Sequence, residues 1–348
     1  MVIKKLKFSW LLKSFVFLLV AGFVYGDFAW ASDEYIRSGK ANTTGVIKEF
    51  RLSSPPNLSG VANIEVWEDE GCNVEYECWA RARNSRMAEE FTEMVEVRLE
   101  TTNDMVTLTL DTPHDAPWEG TNYAIKITLD IFIPAQINLV TKTRGFQLDI
   151  AGPLRRVDIR NTYGEIRLTN VLEETAIDGS YNKVEVENIK GDLDIETSYN
   201  LISVENVDTD GGKAYLKTSY GKIEVDDFKG QLEAFTVYSP IQASNLILLG
   251  GANEIKTVYS EIDLQLDEIE DSRLYLSNSY GNIEIIVPED LSARLALSVG
   301  RGGKINTDRI LVKPEVIERT RLEGICGDGD SEIEVNISGI GKILVEGR

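Results

Sequence analysis

From about residue 140 onward, apolar and polar residues alternate in short runs separated by turn-forming residues. In the stretch 213–225, Ala214, Leu216 and Thr218 alternate with Lys213, Tyr215 and Lys217, and Ile223 and Val225 with Lys222 and Glu224. A period of two marks a strand with one buried face. Ile189-Lys190-Gly191-Asp192, Asp208-Thr209-Asp210-Gly211-Gly212 and Lys229-Gly230 read as turns, and no stretch between them is long enough for a helical crossover. Upstream, Val46–Leu52, Ala62–Glu68, Val95–Thr101, Met105–Asp111 and Tyr123–Pro134 read as further strands. One helix is predicted near 84–95: Asn84 and Ser85 open it, and Met87, Phe91 and Met94 form an apolar stripe suited to capping the first strands.

The alternation carries a repeat. Asn161-Thr162-Tyr163-Gly164-Glu165-Ile166 recurs as Gly179-Ser180-Tyr181-Asn182-Lys183-Val184, Thr197-Ser198-Tyr199-Asn200-Leu201-Ile202 and Thr218-Ser219-Tyr220-Gly221-Lys222-Ile223. Three more units carry Tyr238, Tyr259 and Tyr280, so the seven tyrosines are spaced 18, 18, 21, 18, 21 and 21 residues apart. Insertions of three residues belong in turns. Degenerate units flank the seven, at Thr143-Arg144-Gly145-Phe146 and at Ser298 to Ile305. A hairpin meander could use the same strands but has no reason to repeat side-chain identity at one position. Stacked like on like, the units bury a continuous core, which predicts an all-β chain folded as a parallel β-helix, or β-solenoid, of 18–21 residues per rung. The expected organisation is a signal peptide over 1–31, a flexible segment over 32–44, a strand-rich N-terminal cap over 45–135, and the tyrosine-repeat solenoid over 136–348.

The signal peptide rests on Lys4, Lys5, Lys7 and Lys13 ahead of the apolar run Ser14–Tyr25, which ends near Ala29-Trp30-Ala31. Cleavage after Ala31 is expected, leaving no transmembrane segment and a secreted protein in the periplasm, at the cell surface or outside a bacterial cell. The chain has 36 basic and 57 acidic side chains; without Lys4, Lys5, Lys7, Lys13 and Asp27 it has 32 and 56, a net charge of −24. Such a surface disfavours nucleic acid and is compatible with cations, basic peptides or neutral sugars. Cys72, Cys78 and Cys326 are too few for a disulfide framework, and a single His makes zinc improbable.

These features resemble a known family, the bacterial secreted domains called putative adhesins, which are single-stranded right-handed β-helices. The resemblance covers roughly residues 45–346. It rests on the recurrent Thr-Ser-Tyr-Gly-x-Ile-x-Val unit, on Ile131-Phe132-Ile133-Pro134, and on Gly327-Asp328-Gly329, Ile333-Glu334-Val335 and Gly339–Val345 at the close. Where the family usually carries Asn, this chain carries Tyr seven times. The resemblance implies a right-handed β-helix in the cell envelope or outside the cell, an adhesion role, and no agreed catalytic residues.

Tyr163, Tyr181, Tyr199, Tyr220, Tyr238, Tyr259 and Tyr280 are the candidate ligand-binding residues. Stacked repeats place them about 4.8 Å apart. Parity with Leu216 and Thr218 points the column inward, as packing; a corner at Gly221 would turn it outward and present flat rings to sugar faces. Four positions after each tyrosine, Glu185, Glu224, Asp263 and Glu284 alternate with Arg167, Ser203 and Gln242. Calcium is the cation such a chain could bind, and Asp208 with Asp210, or Asp328 with Asp330 and Glu332, are the candidate ligands. No cofactor is otherwise expected. His114 reads as a solvated loop residue, and no P-loop, zinc motif or nucleophile elbow is present. The expected function is a non-catalytic binding or adhesion scaffold for an envelope glycan or protein. A carbohydrate-active enzyme, polysaccharide lyase or hydrolase, and a calcium-stabilised structural module are the alternatives.

Overall fold

The computed structural model describes residues 32–348, and the expected signal peptide over 1–31 lies outside the described residues. The chain is all-β with one short helix among the described residues.

In the tyrosine region, through β10 (Gly164–Gly179), β11 (Asn182–Lys190), β12 (Asp192–Glu196), β13 (Ile202–Lys217), β14 (Ile223–Phe235), β15 (Ile241–Leu249), β16 (Ala252–Lys256) and β17 (Ile262–Glu270), each strand pairs in parallel with the chain one repeat further on. Ile166 lies beside Val184, then come Ile202, Ile223, Ile241, Ile262 and Ile283, all fully buried. A second buried column runs through Ile159, Ile177, Ile195, Leu216, Ala234, Ile255 and Leu276. A third runs through Leu154, Val171, Ile189, Val207, Phe228, Leu246 and Leu266. One repeat alone would leave these side chains wet; the neighbour's columns cover them, at about 1.5–3 kcal/mol per buried Ile or Leu. The three-residue insertions were expected in turns, but the first is a bulge within the continuous strand Ile202–Lys217, where the register offset grows across Asp208–Lys213, and the next lies between strands, where the offset grows again between Leu248 and Glu254. Asp210, Gly211, Gly250 and Gly251 take the left-handed conformation there.

The two ends abandon this order. Before the first tyrosine unit lie β8 (Asn138–Arg144) and β9 (Phe146–Thr162). Their next partners are β2 (Glu49–Ser53) and β3 (Ser59–Trp67), which are covered in turn by β6 (Met105–Asp111) and β7 (Ala124–Pro134), all in parallel. The outermost strands are antiparallel: β5 (Glu96–Thr102) on β6, β4 (Cys72–Ala82) on β7, and β1 (Asp33–Thr43) on β4. Residues 32–44, expected as a flexible segment, therefore contain an 11-residue strand, held because β4 offers it a full ladder of backbone partners.

At the other end, β24 (Ser331–Ile337) and β25 (Lys342–Gly347) lie on β18 (Arg273–Asn278) and β19 (Ile283–Val287) of the last tyrosine unit. The earlier strands β20 (Ala293–Val299) and β21 (Lys304–Asp308) pair on their far side. The antiparallel strands β23 (Arg321–Cys326) and β22 (Lys313–Glu318) close that end over β20.

The helix α1 (Ser85–Glu93) starts where the Asn84 side chain accepts the Met87 N–H at 2.9 Å. It packs on β1 and β4, with Phe91 buried against Trp118 and Tyr123. Cys72 and Cys78 lie on one uninterrupted strand, so no turn brings them together; both are free and buried, as is Cys326. Burial pushes the Cys72 and Cys78 thiols up to about 12 and about 11, which keeps them unreactive.

Candidate functional site

Two residues before each tyrosine except Tyr181, which follows Gly179, stands a buried polar side chain at or beside the end of the preceding strand: Asn161, Thr197, Thr218, Thr236, Thr257 or Asn278. These side chains tie the corner to the preceding repeat. Thr236 Oγ1 donates to the Gly221 carbonyl at 3.1 Å, Thr257 Oγ1 to the Ser239 carbonyl at 3.2 Å and Asn278 Nδ2 to the Ser260 carbonyl at 2.5 Å. The corner backbone repeats the ladder, with the Tyr220, Tyr238, Tyr259 and Tyr280 N–H groups each donating to a carbonyl of the unit before. Gly221 follows its tyrosine because a Cβ there would lie 1.5 Å from the Asn200 carbonyl oxygen. The turn interrupts the strand alternation, so the parity that points Tyr220 inward does not carry through it.

The tyrosines face outward, 38–56% exposed. Their ring centres stand 4.7, 4.6, 4.8, 4.8, 5.3 and 5.7 Å apart in order, with planes within 12° of parallel. Strand spacing sets this period. Each inner ring therefore has both faces against its neighbours. Arg144 stands 6.0 Å over the outer face of Tyr163, and at the other end a Cβ on Gly339 would lie 3.0 Å from the Tyr280 ring. Flat rings are thus not offered to a sugar face, contrary to the expectation for an outward column. What solvent meets is a row of ring edges and hydroxyls. The Tyr199 phenol is pushed above its ordinary range, first by charge on Tyr181, then by partial desolvation and by Tyr220.

Beside the ladder, the residues four and six positions after each tyrosine line the outer face of the following strands. Near Arg167 this face is ion-paired: Arg167 contacts Asp149, Glu165 and Glu185 at 2.7–3.2 Å, and Lys183 contacts Glu165 and Glu185 at 2.7–2.8 Å. Lys183 and Arg167 hold the Glu185 carboxyl below its usual range, against some desolvation. Further along, the face sinks into an open trough of about 690 Å³ that includes Glu205, Glu224, Asp226, Glu261, Asp263 and Glu284. There Lys222 pairs with Glu224, while Gln242 and Ser244 donate to Asp263 and Asp226.

The calcium candidates do not gather. Asp208 pairs with Lys229 at 3.6 Å, Glu332 with Arg273 at 3.3 Å, and Asp330 accepts from Ser292 at 2.8 Å. Asp210 is exposed at the bulge of the strand Ile202–Lys217 and Asp328 is exposed in a turn. Among the described residues no group of three or more His, Cys, Asp or Glu side chains is placed to hold a metal. His114 contacts Asp115 in an exposed loop.

Sequence reasoning missed a second aromatic cluster on the opposite flank of the ladder. Tyr215 and Phe235 lie 5.6 Å apart, and Lys256 stands 6.0 Å over Phe235 and 5.3 Å over Tyr275. The available signal was an aromatic side chain at strand positions whose parity faces solvent. Nearby, the Asp194 carboxyl is raised above its ordinary range, first by partial burial and then by Glu196, with Lys213 and Lys217 opposing.

No family model matches the chain, and no curated protein matches it in sequence. Among solved structures, a putative cell adhesion protein from Clostridium sporogenes is 12% identical, covering 90% of this chain and 100% of its own, with a TM-score of 0.19. A putative adhesin from Parabacteroides merdae is 9% identical over 89% of this chain and 95% of its own, with a TM-score of 0.33. A putative lipid binding protein from Parabacteroides distasonis is 10% identical over 90% and 96%, with a TM-score of 0.25. No helix among the described residues is long and apolar enough to cross a membrane.

Proposed function

We propose that this chain is a secreted, non-catalytic binding scaffold of the bacterial envelope or cell surface, built as a right-handed parallel β-helix, whose tyrosine ladder contacts an envelope glycan or protein. One observation carries the reading: seven phenols are held in line and half-exposed beside a strongly charged face. A row of hydroxyls at fixed spacing on a rigid corner is a preorganised donor and acceptor array, so a hydroxyl-rich polymer lying along it gains hydrogen bonds without ordering the protein. The acidic face beside it favours a neutral or cationic ligand.

The enzyme alternative needs a groove in which residues break the repeat. The trough carboxylates follow it instead: Glu224 is in register with Gln242, then Asp263, then Glu284. The calcium alternative requires that chelation lower the melting temperature.

The test is binding to an array of envelope and host glycans, with and without calcium, by the wild type and by the triple variant Tyr199→Phe, Tyr220→Phe, Tyr238→Phe. Phe keeps the stacked rings and removes only the hydroxyls. Binding lost at unchanged melting temperature is the expected result. Equal binding by both proteins would remove the ladder from the site, and no glycan bound in either condition would point to a protein partner.

A further inference from the structure

We propose that the tyrosine ladder is an oxidative cross-linking site, at which hydrogen peroxide and a haem peroxidase couple neighbouring rungs into dityrosine and so staple the repeats covalently. The proposal does not depend on what the ladder binds.

Dityrosine forms when two phenols close to one another are each oxidised by one electron. Successive ladder rings are near-translational copies, parallel within 12°, so equivalent ortho carbons are separated by nearly the same distance as the ring centres, 4.6–4.8 Å for the first four pairs. The rings are exposed enough to meet an oxidant and fixed at the corners of adjacent repeats. Their effective concentration toward each other is that of a preorganised intramolecular pair. Face-to-face contact also lets an electron vacancy on one ring pass to the next, so oxidation anywhere on the stack can reach a pair able to couple.

The step balances. Each of two phenols loses one electron and one proton, and peroxide takes both pairs and becomes two waters. The two phenoxyl radicals join at their ortho carbons, and the ring hydrogens shift to the oxygens. One C–C bond replaces two ring C–H bonds.

Among the described residues, tyrosines outside the ladder lack such a partner. Tyr76 is hydrogen-bonded by Arg37 and Tyr123 packs on Phe91. Within the ladder, the wider 5.3 and 5.7 Å gaps at Tyr238–Tyr259 and Tyr259–Tyr280 should couple least.

The test treats the dilute protein with hydrogen peroxide and a haem peroxidase, reads dityrosine fluorescence, and maps cross-linked peptides by mass. Expected are links within one molecule between adjacent rungs, each with the loss of two hydrogens, richest between Tyr163 and Tyr238. The variant Tyr181→Phe, Tyr220→Phe, Tyr259→Phe leaves every ring stacked but no two tyrosines adjacent in the ladder; with its melting curve as the check on folding, it should lose the signal. The proposal is overturned by absence of dityrosine in the wild type, by links only between molecules or at Tyr35, Tyr76 or Tyr123, or by undiminished coupling in the variant.

Discussion

The tyrosine units and the two ends are built from the same strands and the same kind of buried side chain, yet they find their partners in different ways. Ile202 pairs with Ile223, one repeat away, whereas Ile283 pairs with Ile343 and Glu49 with Asn138. In the middle the neighbour in space is the next unit in sequence. At the ends a distant segment slides between two layers, and antiparallel strands complete the stack. The thermodynamic cost of this rearrangement is small, because each doubling of a closed loop adds only about 0.6 kcal/mol. One buried Ile such as Ile343 or Ile333 outweighs that. The larger consequence is kinetic: long-range pairing forms late, so the repeats should fold first and the ends dock onto them. The antiparallel strands cover the outer edges of β6, β7 and β20, where an unpaired edge would be a template for another chain.

The largest break of this contrast is deletion of residues 331–348. It removes the layer between the last tyrosine unit and β20–β21, so amides in β20, β21 and β23 should lose hydrogen-exchange protection while those near Ile202 and Ile241 keep theirs. Retained protection would mean that this end is stable on its own.

Next is Gly221→Val, which drives a side chain into the Asn200 carbonyl of the neighbouring repeat. Chemical denaturation should show a loss of about 3 kcal/mol. By contrast, Gly250→Ala sits in an insertion turn with nothing within 4 Å, and its left-handed φ of +62° should cost about 1 kcal/mol.

Within the ladder, Tyr199→Leu removes two stacked contacts and should cost about 2 kcal/mol, against about 1 kcal/mol for Tyr280→Leu, which removes one. Equal costs would show that the rings contribute by burial alone.

The smallest effect is alkaline. Because the folded state holds the Tyr199 proton more tightly than the unfolded chain does, its contribution is complete below the unfolded value of about 10 and is lost as pH rises through the folded one. Tyrosinate absorbance of the native protein should therefore develop later than that of the protein in denaturant. Coincident curves would rule out coupling between neighbouring phenols.

Much of the middle was legible because one signal repeats. The Tyr spacing and the Ile three residues later are set by local alternation, and a three-residue insertion is absorbed either in a turn, as at Gly250, or as a bulge within a strand, as at Asp208–Lys213. The start of α1 was legible for the same local reason, an Asn side chain placed to accept an orphan N–H. The strands β1 and β4 were harder to read. Lys40 and Glu75, or Arg37 and Cys78, reveal nothing until the antiparallel register places them opposite one another. The calcium candidates are not gathered into one group for a related reason: carboxylates adjacent in sequence alternate in direction or meet a nearby cation, as Asp208 and Glu332 do.

Alternation, repeat length and side-chain identity are properties of the chain over a few residues, so the sequence by itself determined the strands, the stacking of like on like and the existence of a tyrosine column. Which segments fill the layers at each end, and how the rings are turned, were decided only in the tertiary structure. Many apolar strands of similar length could occupy an end layer, and the choice is made by which set buries its neighbours most completely. Ring orientation is likewise collective: a tyrosine at this corner turns outward and lies edge-on because the rings above and below it occupy its two faces.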